Sequence, residues 1–319
     1  MSRLNELRLV ARVAQMYHIE NRRQGDIAQH LNLSQATVSR MLKRASVEDI
    51  VRTTVVPPLG TFPELESKLR ERFGLPEAIV VECSEDRDAA VMSRIGEAAA
   101  HFLEVTLSDG DVLGVSSWSQ TIYKMVENIH PQKSASVRYV VQTLGGMGDP
   151  AVQTHATQLT AKLARLTGAE PKLLPVQGVA SSKEAKLVMI DDPYVRETIG
   201  LFDRITTAVV GIGAIEPSEL LARSGNFFSA SELSRLAESG AVGDISLRFF
   251  DLQGTPVKTS LDERVIGLSL DELAKIDRVI ALAGGKHKTA AIAGALRTKT
   301  IDVLVTDKFT AERLVTEDF

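Results

Sequence analysis

Short apolar segments rich in β-branched residues alternate with longer amphipathic segments from Ala78 to the end of the chain. The apolar segments predict strands and the amphipathic segments predict helices. Such alternation is typical of a doubly wound, Rossmann-like parallel sheet with helices on both faces, an α/β fold. Ligands of these sheets bind beyond the carboxyl ends of the strands. The predicted strands are AIVVEC, DVLGVS, VRYVVQTLGG, KLLPV, ITTAVVGIG, ISLRFFDLQG, RVIALAGG and DVLVTD.

The N-terminal segment has a different pattern, that of three short helices. A helical stripe in LNELRLVARVAQMYHI precedes GDIAQHLNLSQATVSRMLKRA, which has the spacing of a helix-turn-helix. Ala28 is small enough for two helices to cross closely, and Asn32 tolerates the positive φ of the turn. Leu33 and Val38 would pack the second helix against the first, and Ser34 is a suitable N-cap. A helical hairpin without a DNA-binding role is the alternative.

Positive charge is concentrated in this segment. Residues 1–60 contain nine Lys or Arg and five Asp or Glu, a net charge of +4, whereas the remainder contains 28 against 36, a net charge of −8. This distribution fits a chain of which only the N-terminal part meets a polyanion such as DNA. Polar residues at the start of the second helix would reach base edges, and basic ones suit phosphates or guanine. The predicted DNA-contacting residues are Ser34, Gln35, Ala36, Thr37, Ser39, Arg40, Lys43 and Arg44.

The boundary between the two patterns lies near Pro57-Pro58. The preceding segment DIVRTTVVPPLG alternates and predicts a short strand or wing, so the first domain would be a winged helix-turn-helix. The following segment TFPELESKLRERFG is a charged amphipathic helix. The predicted organisation is a DNA-binding domain at 1–58, a linker helix at 59–76 and a ligand-binding and oligomerisation domain at 77–319.

Glycine and hydroxyl residues collect where predicted strands end. Loops of this composition lie at 114–121, 145–148, 211–213 and 284–288. Each loop alone is explained as a tight turn between a strand and a helix. Four such loops at one edge of one sheet predict a shared ligand pocket.

The body of the chain resembles the sugar-binding domain of the SorC family of bacterial transcriptional regulators. The resemblance lies in DGDVLGVSSWSQT, VVQTLGG, VVGIGAI, GAVGDISLRFFDLQG, RVIGLSLDEL, IALAGGKHKTAAIAGAL and VLVTD. Together with the N-terminal segment, it covers essentially the whole chain. It implies a helix-turn-helix joined to a domain similar to sugar-phosphate isomerases. It also implies a homodimer or homotetramer that binds operator DNA near genes of sugar or polyol catabolism. The implied effector is a sugar, a polyol or a sugar phosphate.

Carried over position by position, the resemblance also implies the effector contacts. Asp244 would accept hydrogen bonds from sugar hydroxyls, and Lys288 would bind a phosphate or donate to a hydroxyl. Trp118 either stacks on the ligand or packs in the core. The full set of implied contacts is Ser116, Ser117, Trp118, Ser119, Gln120, Thr121, Gly146, Gln153, Gly213, Asp244 and Lys288.

The chain departs from the pattern of the family that it resembles at two points. Ser119 and Gln120 stand where relatives often have Gly and a basic residue, and a bidentate grip on phosphate is a property of Arg. A neutral ligand and a phosphorylated one both remain open. Leu144 precedes Gly145, where a Lys would be needed to capture an aldehyde as a Schiff base, so covalent capture there is not expected.

Other classes of protein fit the sequence less well. With a single cysteine, Cys83, no run of about 18 apolar residues and no signal-like N-terminus, we expect a cytoplasmic protein that has no membrane partner, metal or cofactor. A metal- or redox-responsive repressor lacks a ligand cluster. The main alternative is an enzyme resembling sugar-phosphate isomerases or deaminases, with His287 in a strand-end loop and His155 near another. The N-terminal domain has no purpose in such an enzyme.

Overall fold

The chain divides into two compact units, Met1–Pro58 and Leu59–Phe319. The computed structural model describes residues 3–52, 56–131, 137–146, 150–215 and 230–319. In this described part, no helix combines the length and the apolar character needed to cross a membrane.

Three helices form the first unit: α1 (Arg3–His18), α2 (Gln24–His30) and α3 (Gln35–Val47). The turn between α2 and α3 holds Asn32 at φ 52°, which confirms the predicted turn residue. Ser34 accepts a 3.1 Å hydrogen bond from the backbone N–H of Thr37 and caps α3, as predicted. The predicted strand or wing covers 49–60; its described residues, 49–52 and 56–60, contain no strand, and residues 53–55 lie outside the described residues. The central apolar cluster of the unit is Val13, Met16, Ile27, Ala28 and Val38.

The second unit alternates strands and helices along most of its length. Its strands are β1 (Glu77–Val81), β2 (Val112–Val115), β3 (Tyr139–Gln142), β4 (Glu170–Lys172), β5 (Thr207–Gly211), β6 (Gly213–Ala214), β7 (Ala241–Ile245), β8 (Arg248–Asp251), β9 (Arg278–Leu282) and β10 (Val303–Asp307). Its helices are α4 (Pro63–Phe73), α5 (Asp88–Thr106), α6 (Gln120–Asn128), α7 (Pro150–Thr167), α8 (Lys183–Ile190), α9 (Pro193–Ile199), α10 (Ala230–Glu238), α11 (Leu270–Leu273), α12 (Thr289–Arg297) and α13 (Lys308–Thr316). Short 3-10 helices lie at Phe202–Arg204 and Lys286–Lys288.

Among the described residues, seven strands form one parallel sheet in the order β1-β10-β9-β5-β2-β3-β4. Side chains alternate between its faces, so that Val209 and Ile280 join one buried cluster while Val210 and Val279 join the other. Both faces are apolar because helices cover both, which explains the continuous apolar runs. The predicted parallel α/β sheet is therefore confirmed.

A second, antiparallel sheet of β6, β7 and β8 was not predicted. The segment ISLRFFDLQG was expected to be one strand, but the chain reverses at Ser246-Leu247, so β7 ends at Ile245 and β8 begins at Arg248. Ser246 and Leu247 have φ values of 53° and 63°. Neither Ser nor Leu is a typical residue for such a turn, so no sequence signal marked a chain reversal here.

Helix α4 was predicted as a linker between domains. It packs against β1 and α13 and belongs to the second unit. Its apolar stripe explains this placement, because Leu69 and Phe73 are buried in the core of that unit.

Candidate functional site

A cavity of about 730 Å³ lies at the carboxyl ends of β2, β5 and β9. From β2 the chain proceeds along the sheet to β3, whereas from β5 it proceeds to β9 on the other side. The cavity therefore lies at the point where the strand order reverses, the usual ligand position in open α/β sheets. The described residues around it are Asp88, Ala89, Met92, Ser116, Trp118, Ser119, Gln120, Thr121, Leu144, Gly211, Ile212, Gly213, Ala214, Asp244, Ser246, Leu247, Gly284, His287 and Lys288.

The loop between β2 and α6 forms one wall. Ser119 caps α6, because its hydroxyl accepts a 3.3 Å hydrogen bond from the backbone N–H of Ile122. A Cβ at Gly211 would come within 2.8 Å of the Ser119 side chain, so only glycine lets β5 approach this closely. Ser116, Gln120 and Thr121 complete this wall.

Trp118 lies between the cavity and the apolar core. The residue is 7% exposed and packs with Leu144 and Leu247. The indole Nε1 donates a 3.2 Å hydrogen bond to the carbonyl of Gly145. Trp118 is thus a core residue that also lines the cavity, and this hydrogen bond holds its ring in position.

Asp244 lies on β7, in the opposite wall, paired with Gly213 of β6. A Cβ at Gly213 would overlap Asp244 Oδ1, so the close pairing of these strands requires glycine. Asp244 Oδ2 accepts a 2.8 Å hydrogen bond from the backbone N–H of Leu247. This bond stabilises the two positive-φ residues of the hairpin, whose conformation is costly for L-residues.

Burial dominates the electrostatics of Asp244. The side chain is almost completely enclosed, and this desolvation raises the pKa of Asp244 to about 6. The Leu247 N–H and the charge of Lys288 act in the opposite direction. The carboxyl group therefore titrates close to neutral pH.

Lys288 ends the 3-10 helix after β9 and is half-buried. Its Nζ donates a 3.1 Å hydrogen bond to the carbonyl of Ile212. Burial lowers the pKa of Lys288, while the carboxylates of Asp244 and Asp88 oppose that effect. The site therefore combines carboxylate, ammonium and hydroxyl groups, which suit a polyhydroxylated molecule.

Three of the predicted effector residues lie elsewhere or cannot be placed. Ser117 points away from the cavity and forms a 2.9 Å hydrogen bond with the hydroxyl of Thr160. Gly146 pairs with Gln177 and is absent from the described lining. The side chain of Gln153 lies outside the described residues.

The start of α5 contributes residues that the sequence did not suggest. Asp88, Ala89 and Met92 line the cavity, and Asp88 Oδ2 lies 3.4 Å from Nδ1 of His287. Glycine-rich loops were the signal for the pocket, and the CSEDRD segment after β1 has no glycine. The only sequence signal for this segment was its position directly after the first predicted strand.

In the first unit, the predicted contact residues lie on the surface of α3. Gln35, Ala36, Ser39, Arg40 and Lys43 are exposed, as is the cap Ser34, and Thr37 and Arg44 are partly exposed. Arg40 Nη2 donates to the hydroxyl of Thr37 at 3.3 Å.

Arg44 is engaged within the unit. Its guanidinium donates to Glu48 at 2.6 Å and to Glu6 at 3.3 Å. These hydrogen bonds raise the pKa of Arg44 and partly neutralise its charge. Arg40 and Lys43 are therefore the more available cations of α3.

Comparison with known proteins matches this architecture. Residues 58–316 match the family model Sugar-bind, described as "Putative sugar-binding domain". The deoxyribonucleoside regulator of Bacillus subtilis is 33% identical over 304 residues, which cover 95% of this chain and 96% of the relative.

Two solved structures extend the comparison. The full-length sorbitol operon regulator SorC from Klebsiella pneumoniae has a TM-score of 0.73 at 28% identity, covering 97% of this chain and 99% of that one. A sugar-binding domain of the regulator DeoR from Pseudomonas syringae has a TM-score of 0.63 at 42% identity, covering 79% and 97%. A parallel α/β unit with a polar cavity at its switch point is an architecture typical of proteins that bind small molecules. The chain belongs to the SorC family of sugar-binding transcriptional regulators.

Proposed function

We propose that this protein regulates transcription of genes for carbohydrate, polyol or nucleoside catabolism. The first unit would bind operator DNA through a helix-turn-helix formed by α2 and α3. The cavity of the second unit would bind the effector, a sugar, polyol or sugar phosphate. The single observation that carries the proposal is the polar cavity at the sheet's switch point in a chain whose relatives are named as regulators over their whole length.

The DNA-binding part rests on the surface of α3. Asn32 turns the chain between α2 and α3, and Ser34 starts the second helix with its polar end exposed. Arg40 and Lys43 then lie on the outer face of α3. A polar helix start followed by basic side chains suits a recognition helix in the major groove, with base contacts first and phosphate contacts beyond.

The coupling between the two units would require an oligomer. A symmetric homodimer or homotetramer would place the first units of two subunits on two operator half-sites. An effector changes DNA affinity only if it binds one arrangement of the subunits more tightly than the other. We therefore expect the effector and the operator to alter each other's affinity by the same factor.

The experiment begins with operator fragments selected from genomic DNA by the wild-type protein. We expect Arg40→Ala with Lys43→Ala to weaken binding to these fragments about 100-fold and to reduce its salt dependence. The matched control is Arg94→Ala with Lys124→Ala, which removes two positive charges that are paired with Glu97 and Glu127 on helices of the second unit. The control should bind as the wild type does.

Two outcomes would contradict the proposal. One is DNA binding that does not depend on salt or on the α3 substitutions, although far-UV circular dichroism shows the variants to be folded. The other is the absence of any stabilising ligand when sugars, polyols and their phosphates are screened by thermal shift, since a ligand of the native state raises the melting temperature.

A further inference from the structure

We infer that the cavity takes an unphosphorylated polyhydroxylated ligand, a polyol or a neutral sugar, and that Asp88 and Asp244 each accept hydrogen bonds from its hydroxyls. This inference rests on the proposed function and narrows the class of its effector. It depends on the charged side chains that face the cavity. It also depends on the partners that Lys288 and the N-terminus of α6 already have within the protein.

Asp88 is the first residue of α5 and lines the cavity. A Cβ at Gly285 would come within 2.9 Å of Asp88 Oδ1, so the carboxylate lies directly against the backbone of that loop. Gly285 also has φ 103°, a conformation that other residues rarely adopt. The Asp88 side chain is 57% exposed, which leaves it accessible to a ligand.

The described cavity wall holds two carboxyl groups and one ammonium group. Asp244 and Asp88 both act on Lys288 through their charge, and Lys288 Nζ donates to the carbonyl of Ile212. Among the described residues of the wall, carboxyl groups therefore outnumber ammonium groups, with Asp88 and Asp244 against Lys288. His287 Nδ1 is itself 3.4 Å from Asp88. A phosphate group carrying about −1.5 to −2 would be repelled by two carboxylates, whereas a hydroxyl donates to either.

The N-terminus of α6 is the other place where an anion would be favoured. The Ser119 hydroxyl already accepts the hydrogen bond of the Ile122 N–H there, at 3.3 Å. The Ser119 side chain lies close to the backbone of Gly211, where a Cβ would come within 2.8 Å of it. At this helix end the protein itself therefore supplies the acceptor for the Ile122 N–H.

A cavity of about 730 Å³ has ample space for a ligand of four to six carbons with some water. Its hydroxyl groups, at Ser116, Ser119, Thr121 and Ser246, add partners that both donate and accept. The carboxylates of Asp88 and Asp244 together with these hydroxyls match a molecule that carries a hydroxyl on nearly every carbon.

The test uses isothermal titration of the full-length protein with matched pairs of four- to six-carbon polyols or sugars and their monophosphates. The panel includes sorbitol with its 6-phosphate and 2-deoxyribose with its 5-phosphate. We expect the tightest ligand to be neutral and to bind at least tenfold more tightly than its own phosphate. Asp88→Asn should weaken the neutral ligand and reduce its advantage over the phosphate about tenfold, because one negative charge leaves the cavity.

The matched control is Glu85→Gln, which removes one negative charge from an exposed residue that pairs with Arg87 away from the cavity. It should leave both affinities unchanged. A phosphate that binds more tightly than its neutral partner, or an unchanged ratio in Asp88→Asn, overturns the inference but leaves the proposed regulator intact. If no member of any pair binds while operator binding persists, the effector role of the cavity fails, and the inference fails with it.

Discussion

The two units differ in how the residues assigned to binding take part in folding. On α3, Arg40 and Lys43 are exposed and stabilise little beyond their own helix. Around the cavity, by contrast, Trp118 holds Gly145, Asp244 holds the hairpin turn and Ser119 caps α6. Surface residues of the first unit can change without loss of the fold, whereas changes in the cavity wall alter folding and binding together.

The same substitution in the two units gives the sharpest contrast. Gly213→Ala would drive a methyl group into Asp244 and break its bond to Leu247. We expect it to lower the free energy of unfolding by about 3 kcal/mol and to abolish ligand binding. Urea denaturation followed by the fluorescence of Trp118, the only tryptophan, measures this in the second unit.

Gly25→Ala in α2 is the matched control, because a Cβ there meets nothing within 4 Å. Its stability should be unchanged or slightly higher, since alanine favours helices. If Gly213→Ala proved as harmless as Gly25→Ala, the close pairing of β6 and β7 would not be essential.

The buried carboxyl of Asp244 predicts a dependence on pH. Its pKa is about 6 in the folded state against 3.8 when exposed, so folding favours its protonated form. The stabilisation linked to that proton is complete below pH 3.8 and disappears as the pH rises through 6. Relative to Asp244→Asn, the wild type should therefore gain about 1.5 kcal/mol as the pH falls from about 7.5 to about 5.

Denaturation curves of both proteins at each pH measure this difference and cancel the contributions of other groups. Asp251→Asn, which removes a half-buried carboxylate from the neighbouring strand, is the comparison variant. A constant difference between wild type and Asp244→Asn across this range would contradict the raised pKa.

Two serine caps provide the smallest contrast. Ser34 caps α3 in the first unit and Ser119 caps α6 in the second. Replacing either by alanine should cost about 1 kcal/mol in its own unit. Ser34→Ala should weaken operator binding several-fold and leave unchanged the urea transition followed by Trp118 fluorescence. Ser119→Ala should move that transition to lower urea and leave operator binding unchanged. The threonine variants, which keep the hydroxyl, serve as controls, and an effect of either alanine in the other unit would contradict this separation.

Local patterns predicted much of this architecture because they report on single elements. The apolar runs identified the parallel strands, since residues buried on both faces must be apolar throughout. Asn32 and Ser34 marked the turn and the start of α3, since each acts through its own backbone neighbours. The glycine-rich strand ends at 114–121, 211–213 and 284–288 indicated loops that meet at the cavity, whereas Gly145 and Gly146, the described residues of the fourth loop, are absent from its described lining.

The sequence did not reveal what depends on distant contacts. Asp88 lies in the wall because α5 begins against the loop of Gly285, almost 200 residues further along the chain. The hairpin at Ser246-Leu247 forms because the Asp244 carboxylate holds it, although neither turn residue favours it. Helix α4 resembles a linker by its charge, but its apolar side finds the core of the second unit.

The amino-acid sequence by itself determined the helices, the strands and the loops that carry binding groups, because propensity, caps and periodicity act over a few residues. Only the tertiary structure decided which groups face one another across the cavity, how far Asp244 is buried and which cations already have partners. Burial and charge pairing depend on which residues are neighbours in three dimensions, and those residues are far apart in the chain.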